Sequence, residues 1–150
     1  DQPRSRGLGD VYKRQIMDPG SHGSTYGGNP LGTTVGLAVL REIVSQGLPE
    51  RARRLGAEIR AEIESWNLPV IQGVRGLGLL LGIGLNPEMV DAPEGKTVAA
   101  VVVEALRQEG LLSVPAGPET VRLLPPLNVS EEEVQQALAI IRRVLKTYVK

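Results

Sequence analysis

The residues with the clearest chemical potential lie in the loop GSHGSTYGGNP, residues 20–30. Its glycines let several backbone N–H groups converge on one anion, and Ser24 and Thr25 add small hydroxyl donors. A helix predicted to begin at Pro30 would add the positive end of its dipole. No lysine follows at the spacing of a nucleotide P-loop. The loop is therefore predicted to bind a phosphate or a carboxylate, with a plain structural turn as the alternative.

Arginine is the second residue type of interest. Arg122 lies in the apolar segment TVRLLPP, where we expect its charge to be paired. Its planar fork of N–H donors suits bidentate binding of a carboxylate. The alternative role for Arg122 is a salt bridge to an upstream glutamate. Arg75, in GVRGLG, is interpreted as a structural arginine that organises the glycine turn before a strand.

Composition excludes several classes of function. The 150 residues include 17 basic and 17 acidic side chains, a balance that indicates neither a nucleic acid nor an anionic membrane as partner. No cysteine is present, so disulfides, thiolate zinc sites and thiol nucleophiles are excluded. The single histidine, His22, cannot form a His-rich metal site and is interpreted as a hydrogen-bonding loop residue. We therefore expect no metal, no nucleic acid and no membrane contact.

We expect the first residues of the chain to have a different origin from the rest. Residues 5–15, SRGLGDVYKRQ, match the translation of a transposon-type sequencing adapter over eleven consecutive positions. A segment of this kind does not contribute to the fold of a protein. We expect residues 1–15 to be adapter-derived and disordered, the native chain to start near Ile16, and the protein to be missing an upstream part.

Hydrophobic periodicity predicts an α+β fold in which helices pack on a small antiparallel sheet. Asn29 and Pro30 predict the start of a helix that Gly47 ends, and the pair Ser130 and Glu133 predicts a capping box for the last helix. The other predicted elements are a helix after Pro49, a strand within 70–85, a polar loop at 86–96, a helix from Val98 to Gly110, and short strands at 111–115 and 120–124, the second of which ends before Pro125 and Pro126. Helical spacing predicts apolar stripes on three helices: Leu31, Val35 and Ala38 on the first, Ala52, Leu55, Ile59 and Ile63 on the second, and Val134, Leu138, Ile141 and Leu145 on the last.

The segment 70–85 has the most regular pattern of the chain. Leu77, Leu79, Leu81, Ile83 and Leu85 alternate with other residues, three of which are glycines. Strict alternation predicts a strand with one apolar face. The glycine face predicts close approach by another backbone or by a helix.

Three segments together resemble the class III (ornithine-type) aminotransferases, which depend on pyridoxal phosphate. They are GSHGSTYGGNPLG (20–32), VRGLGLLLGIGL (74–85) and LLSVPAGPETVRLLPPLNVSEEE (111–133). The resemblance covers residues 16–148, and the amino-acid sequence of the last segment is most similar to the acetylornithine branch of the family. It implies a fold-type I transferase, with 16–47 as an interface loop and helix of the large domain and 48–150 as the C-terminal small domain.

The resemblance also implies roles for three residues. Thr25 matches the threonine that reaches across a homodimer interface to the cofactor phosphate. Ser24 matches a position in contact with the acyl-ornithine substrate, and Arg122 matches the arginine that handles a substrate carboxylate. Tyr26 and Asn29 are interpreted as packing and capping residues. The expected setting is a cytoplasmic homodimer.

The family's chemistry also needs a lysine that holds the cofactor as a Schiff base and an aspartate at the pyridine nitrogen, both upstream of the loop. The lysines after residue 15, Lys96, Lys146 and Lys150, are interpreted as surface residues. No catalytic residue is therefore assigned, and we expect the chain alone to be an inactive C-terminal fragment.

The implied parent activity moves the δ-amino group of N-acetylornithine to 2-oxoglutarate in arginine biosynthesis. The alternatives are another class III transaminase (acting on ornithine, on a lysine-pathway intermediate or on 4-aminobutyrate) and a non-catalytic anion-binding domain.

Overall fold

Residues 23–149 are described by the computed structural model, and the first helix in that range is α1, Pro30–Ser45. The side chain of Asn29 caps it, because the Gly32 N–H donates to Asn29 Oδ1 at 2.9 Å. Gly47 lies just beyond the end with a φ of 59°, a left-handed conformation that glycine adopts at little cost. Both predicted limits of this helix are confirmed.

Helix α1 exposes its apolar side chains. None of its residues is buried, although the sequence predicts an apolar stripe through Leu31, Val35 and Ala38. The chain divides into two compact units, Asp1–Glu42 and Ile43–Lys150, and the division falls within this helix. Each unit is therefore described by itself, and the segments 16–47 and 48–150 stay predictions. Residues 1–15, with their predicted adapter origin, lie outside the described range.

Helix α2, Leu48–Ser65, forms one side of the core of the second unit. It buries the stripe that its sequence predicts, which consists of Ala52, Leu55, Ile59 and Ile63. Gly56 packs against a turn so closely that an added Cβ would lie 1.9 Å from the carbonyl oxygen of Gly78. Arg51 fixes the helix to the loop before the last helix, because its guanidinium donates to the backbone carbonyl of Val129.

The segment 70–85, predicted as one strand, is a hairpin of two antiparallel strands. Strand β1, Ile71–Leu77, turns at Gly78 and Leu79 into strand β2, Leu80–Leu85. Gly78 has a φ of 55°, which suits a two-residue hairpin turn. The single-strand prediction is wrong because apolar residues keep alternating with other residues through the turn, so the sequence pattern does not show it. After the turn the apolar residues lie on the opposite face of the sheet from the odd-numbered residues of β1 from Gly73 onward.

This exchange of faces decides which side chains are buried. Leu81, Ile83 and Leu85 are buried in the core, as predicted. Leu77, which the alternation assigns to the same apolar face, instead pairs with Leu80 and is 85% exposed. From Gly73 onward, odd-numbered residues of β1 therefore share a face with even-numbered residues of β2.

Two further strands complete an antiparallel four-stranded sheet in the order β1–β2–β4–β3. Strand β3, Val114–Pro115, and strand β4, Thr120–Leu123, lie within the two segments predicted as short strands. Pro125 and Pro126 follow β4 and offer no N–H to a ladder, so the strand ends before them, as predicted.

Helix α3, Val98–Gln108, and helix α4, Glu131–Lys146, surround the same hydrophobic core as α2 and the buried face of the sheet. A short 3₁₀ helix, Pro87–Met89, lies in the predicted polar loop before α3. Helix α4 buries the predicted residues Val134, Leu138, Ile141 and Leu145, together with Val144. The α+β class with a small antiparallel sheet is confirmed.

The predicted capping box at the start of α4 is present. The Glu133 N–H donates to Ser130 Oγ at 3.1 Å, and the Ser130 N–H donates to Glu133 Oε2 at 2.8 Å. We expect Ser130→Ala to lower the free energy of unfolding by about 1 kcal/mol, since it removes one of these bonds. Urea unfolding measures this loss, with Ser65→Ala at an exposed helix end as the matched control. Equal stability of the two variants would contradict the role of the cap.

Candidate cofactor and substrate site

The loop before α1 forms a turn over residues 24–27 and exposes both predicted hydroxyl groups. The Gly27 N–H donates to the Ser24 carbonyl at 3.2 Å, and the Asn29 N–H donates to the Tyr26 carbonyl at 3.3 Å. Ser24 and Thr25 are exposed, and neither hydroxyl has a hydrogen-bond partner among residues 23–149. Their donors are therefore available to an anion.

This turn fits a phosphate group by its chemistry. A phosphate oxygen accepts hydrogen bonds best from donors without bulk, such as a hydroxyl and backbone N–H groups. Gly28 follows with a φ of 73°, and an added Cβ there or at Gly23 would meet nothing within 4 Å. The loop therefore leaves open space around Thr25 into which a ligand can approach. His22 lies outside the described residues.

Arg122 lies in strand β4 on the face of the sheet that the helices do not cover. The preceding residue, Val121, is buried in the core, whereas Arg122 is exposed. The expectation that its charge must be paired is wrong for this reason: the side chain is not desolvated. Within residues 23–149, no carboxylate lies within salt-bridge distance of its guanidinium, and the predicted alternative of a glutamate partner is absent from that range.

Arg75 lies on the same open face, in register with Arg122. Both residues pair with Gly82 of the middle strand β2, Arg75 from β1 and Arg122 from β4. Arg75 Nη2 donates to Thr120 Oγ1 at 2.9 Å, so its side chain crosses over β2 to reach β4. Its interpretation as a turn-organising residue is thus incomplete, because this hydrogen bond links it to the strand that carries Arg122.

The predicted site residues fall into two groups. Ser24 and Thr25 belong to the first unit and Arg122 to the second, so each group is described within its own unit. Lys96 precedes α3 and Lys146 ends α4, and both side chains are exposed. No pattern in the sequence indicates the Arg75–Thr120 contact. A hairpin turn at Gly78 accounts only for the position of Arg75 on the open face.

An apolar cavity of about 340 Å³ lies between α4 and the segments on either side of β4. Leucine, proline and valine side chains line it, and its one acidic residue, Glu133, already takes part in the capping box. With no polar group free to orient a reactant, this cavity has no arrangement for chemistry.

Glu104, which lies outside both candidate regions, has a strongly lowered pKa. Hydrogen bonds from Arg107, at 2.7 and 2.8 Å, hold the pKa of this exposed carboxyl at about 2, below its ordinary 4.5. A lowered folded-state pKa gives stability that is present above about pH 4.5 and lost as the pH falls toward about 2.

Removing the Arg107 side chain is expected to raise the pKa of Glu104 again. In Arg107→Gln the pKa of Glu104 should rise toward 4.5, as followed by NMR titration of the side-chain carboxyl. Arg143→Gln is the matched control, because Arg143 pairs with Glu109. A Glu104 pKa that stays near 2 without Arg107 would contradict the assigned cause.

Comparison with known proteins decides which family these features represent. The family described as aminotransferase class-III matches residues 7–145, almost the whole chain. The chain belongs to this family. Class III aminotransferases use pyridoxal phosphate, and the matched range contains the hydroxyl-bearing turn and the open sheet face.

Individual class III aminotransferases are similar over most of the chain. The ornithine aminotransferase of Staphylococcus carnosus is 38% identical over 142 residues, which is 95% of this chain and 33% of that protein. The crystal structure of acetylornithine aminotransferase from Elizabethkingia anophelis superposes with a TM-score of 0.76 at 37% identity, covering 93% of this chain and 36% of that one.

A third relative holds the cofactor itself. The ornithine aminotransferase from Toxoplasma gondii, with pyridoxal phosphate partially occupying its active site, superposes with a TM-score of 0.77 at 31% identity and covers 94% of this chain and 32% of that one. The chain spans about a third of the length of the curated relatives it matches. The small α+β unit of this class III chain thus has the fold found in these pyridoxal-phosphate enzymes.

Two features are absent from residues 23–149. No helix in that stretch has the length and apolar character that crossing a membrane requires. No group of three or more His, Cys, Asp or Glu side chains there is arranged to hold a metal ion.

Proposed function

We propose that the whole protein is a pyridoxal-phosphate-dependent aminotransferase that moves the δ-amino group of N-acetylornithine to 2-oxoglutarate, in arginine biosynthesis. This chain would be its C-terminal part, and the whole protein would act as a cytoplasmic homodimer. The proposal combines family membership with the resemblance of residues 111–133 to the acetylornithine branch.

One observation carries the substrate side of this proposal. Arg122 is exposed on the open face of the sheet, and no carboxylate in the described range neutralises its charge. An exposed guanidinium that has no carboxylate partner can bind the carboxylate of a ligand through two parallel hydrogen bonds. Both 2-oxoglutarate and the amino donor carry such a group, so Arg122 would orient either substrate.

Thr25 would hold the cofactor and Ser24 would face the substrate. The exposed Thr25 hydroxyl would donate to the phosphate group, and Ser24 beside it would contact the acyl group of the donor. The cofactor, when bound, supplies an electron sink that stabilises negative charge on the substrate carbon. Because the side chains of Lys96 and Lys146 are exposed, neither is assigned to the proton transfers that the reaction needs.

A second substrate has specific support. The ornithine aminotransferase of S. carnosus is among the similar relatives, so ornithine is the competing amino donor. The experiment that separates the two is a comparison of kcat/KM for N-acetylornithine and ornithine, made on the enzyme encoded by the complete reading frame. A higher value for N-acetylornithine supports the proposal, and a higher value for ornithine overturns the choice of donor.

The chain by itself is expected to be inactive. Incubated with pyridoxal phosphate and both substrates, it should form no glutamate above a blank without protein. After borohydride reduction, mass spectrometry should find no single lysine modified at one cofactor per chain. Stoichiometric labelling of Lys96 or Lys146 would contradict the expectation that the cofactor's lysine lies elsewhere in the whole protein.

A further inference from the structure

Thr120, the first residue of strand β4, is a buried polar side chain on the open face of the sheet. It pairs with Gly84, and Arg122 pairs with Gly82, so the two residues share a face opposite the buried Val121. Thr120 is 6% exposed, and no other polar residue in the described range is buried to this extent. A hydroxyl loses free energy on burial unless a hydrogen bond replaces its water, so this one needs a partner.

The partner is Arg75 of strand β1, which is separated from β4 by β2. Arg75 Nη2 donates to Thr120 Oγ1 at 2.9 Å, so the arginine side chain crosses the middle strand to reach the hydroxyl. Arg75 is itself exposed, and its remaining N–H groups can donate to water. The hydrogen bond therefore ties β4 to β1 directly, without leaving a buried donor unsatisfied.

Glycine at position 82 leaves room for this link. A Cβ added there would lie 3.0 Å from Cγ2 of Thr120 and 3.8 Å from Cγ of Arg75, so both side chains lie directly against the glycine. The first distance is shorter than favourable carbon–carbon contact, about 3.5–4.0 Å, and a side chain would push Thr120 away. The same glycine pairs with Arg122. The packing of the Arg75–Thr120 bond and the strand position of Arg122 therefore depend on one residue of β2.

Few residues hold strand β4 on its outer side. Within the described range it pairs there with the two residues of β3, one of which is Pro115 and offers no N–H. One further backbone bond runs from the Ala116 N–H to the Thr120 carbonyl at 2.8 Å, and after Leu123 the strand ends before two prolines. Thr120 lies two residues, about 7 Å, before Arg122 along the strand. A link that holds Thr120 therefore also restricts the segment from which Arg122 projects.

We propose that Thr120 is a positioning residue for Arg122. Held by Arg75, it fixes β4 where the Arg122 guanidinium meets a substrate carboxylate with two parallel hydrogen bonds. Such a fork tolerates only small displacements, because both N–H groups must point at the carboxylate oxygens at once. The inference rests on the proposed function, in which Arg122 is the carboxylate contact, and it gives Thr120 and Arg75 a role that requires no contact with the substrate.

The test uses the enzyme encoded by the complete reading frame and measures KM for 2-oxoglutarate together with kcat. Thr120→Val keeps the shape of the side chain and removes the acceptor for Arg75. It is expected to raise KM about fivefold while kcat changes by less than about twofold, because ground-state and transition-state binding weaken equally. A fivefold change corresponds to about 1 kcal/mol, the net contribution of one intramolecular hydrogen bond. Thr120→Ser retains the acceptor and should keep KM within about twofold of the unaltered enzyme.

Variants of the donor test the same bond from the other side. Arg75→Gln should raise KM by a similar factor, about fivefold, and should add little to Thr120→Val, because both substitutions break one bond. Arg60→Gln is the matched control, since Arg60 Nη2 donates to the Gly76 carbonyl at 2.6 Å. This control loses the same charge and a hydrogen bond to β1 but leaves β4 untouched, so its KM should change by less than about twofold.

A double-mutant cycle with Arg122 separates positioning from a general effect on the structure. In the Arg122→Gln background, Thr120→Val should leave kcat/KM for 2-oxoglutarate unchanged, because no guanidinium remains to be positioned. An equal loss from Thr120→Val in both backgrounds overturns its role. If Arg122→Gln lowers kcat/KM and Thr120→Val does not, only the inference on Thr120 falls. If Arg122→Gln itself keeps full kcat/KM, the carboxylate contact of the proposed function fails, and the inference with it.

Discussion

Replacing Gly56 with alanine is expected to lower the free energy of unfolding by about 3 kcal/mol, the upper end of the usual cost of overpacking. The added Cβ would lie 1.9 Å from the carbonyl oxygen and 2.4 Å from the carbonyl carbon of Gly78. Both are backbone atoms and cannot move aside by a rotamer change. The turn between β1 and β2 must therefore shift away from α2, which disturbs the core contacts of Leu79 and Ala52.

Urea unfolding followed by tryptophan fluorescence measures this loss. Trp66 is the only tryptophan of the chain and is buried in the core of the second unit, so its signal reports on that unit. Gly36→Ala is the matched control, because a Cβ at this helical glycine meets nothing within 4 Å. Because Gly36 lies in the first unit, the control should leave the midpoint of this transition unchanged. Equal midpoints for Gly56→Ala and the unaltered chain would refute the close packing of α2 on the turn.

The second large effect is expected on activity. In a hybrid enzyme, residues 23–149 replace the matching segment of the Elizabethkingia anophelis acetylornithine aminotransferase, which superposes with a TM-score of 0.76. Arg122→Gln in this hybrid should lower kcat/KM for 2-oxoglutarate at least about thirtyfold. Truncating one partner of a hydrogen-bonded charge pair that is enclosed in a site costs about 2–5 kcal/mol.

Two further variants make this result specific. Arg122→Lys keeps the charge and loses the bidentate fork, so it should fall between glutamine and the unaltered hybrid. Arg143→Gln removes an exposed arginine that pairs with Glu109, and it should change kcat/KM by less than about twofold. If Arg122→Gln retains full kcat/KM in a hybrid that still binds the cofactor, Arg122 is not the carboxylate contact.

Sequence signals that span only a few residues were sufficient to predict the helices. The cap at Asn29, the stop at Gly47 and the capping box of Ser130 and Glu133 each depend on residues within a few positions of one another. The buried stripes of α2 and α4 follow from helical periodicity alone. These elements are predictable because the forces that define them act within one turn or along one face of a helix.

The sheet could not be predicted in the same way. A two-residue turn leaves the alternation of apolar residues in the sequence intact, but it moves the odd-numbered residues to the other face of the sheet. A repeat of two residues therefore cannot by itself distinguish one long strand from a hairpin. Read as a single strand, the segment places Arg75 on the same face as Leu81 and Ile83. The turn at Gly78 moves Arg75 to the opposite face, where Gly82 and Arg122 lie.

The candidate site was predicted in part for the same reason. The turn of Ser24 and Thr25 is local, and its glycines and hydroxyls predict an anion site directly from the sequence. Arg122 is predicted to be a carboxylate contact, but the pairing expected for it depended on burial, which only strand register determines. The link from Arg75 to Thr120 joins residues 45 positions apart and has no local signal.

Amino transfer by the hybrid enzyme is the most direct test of the central claim, that this chain supplies the phosphate-binding turn and the carboxylate-binding face of a class III aminotransferase. The measurement is glutamate formed from N-acetylornithine and 2-oxoglutarate. The hybrid is expected to be active, and the combined substitutions Thr25→Ala and Arg122→Gln are expected to abolish most of that activity. A hybrid that folds and binds pyridoxal phosphate, yet transfers amino groups equally well with both substitutions, would contradict the claim.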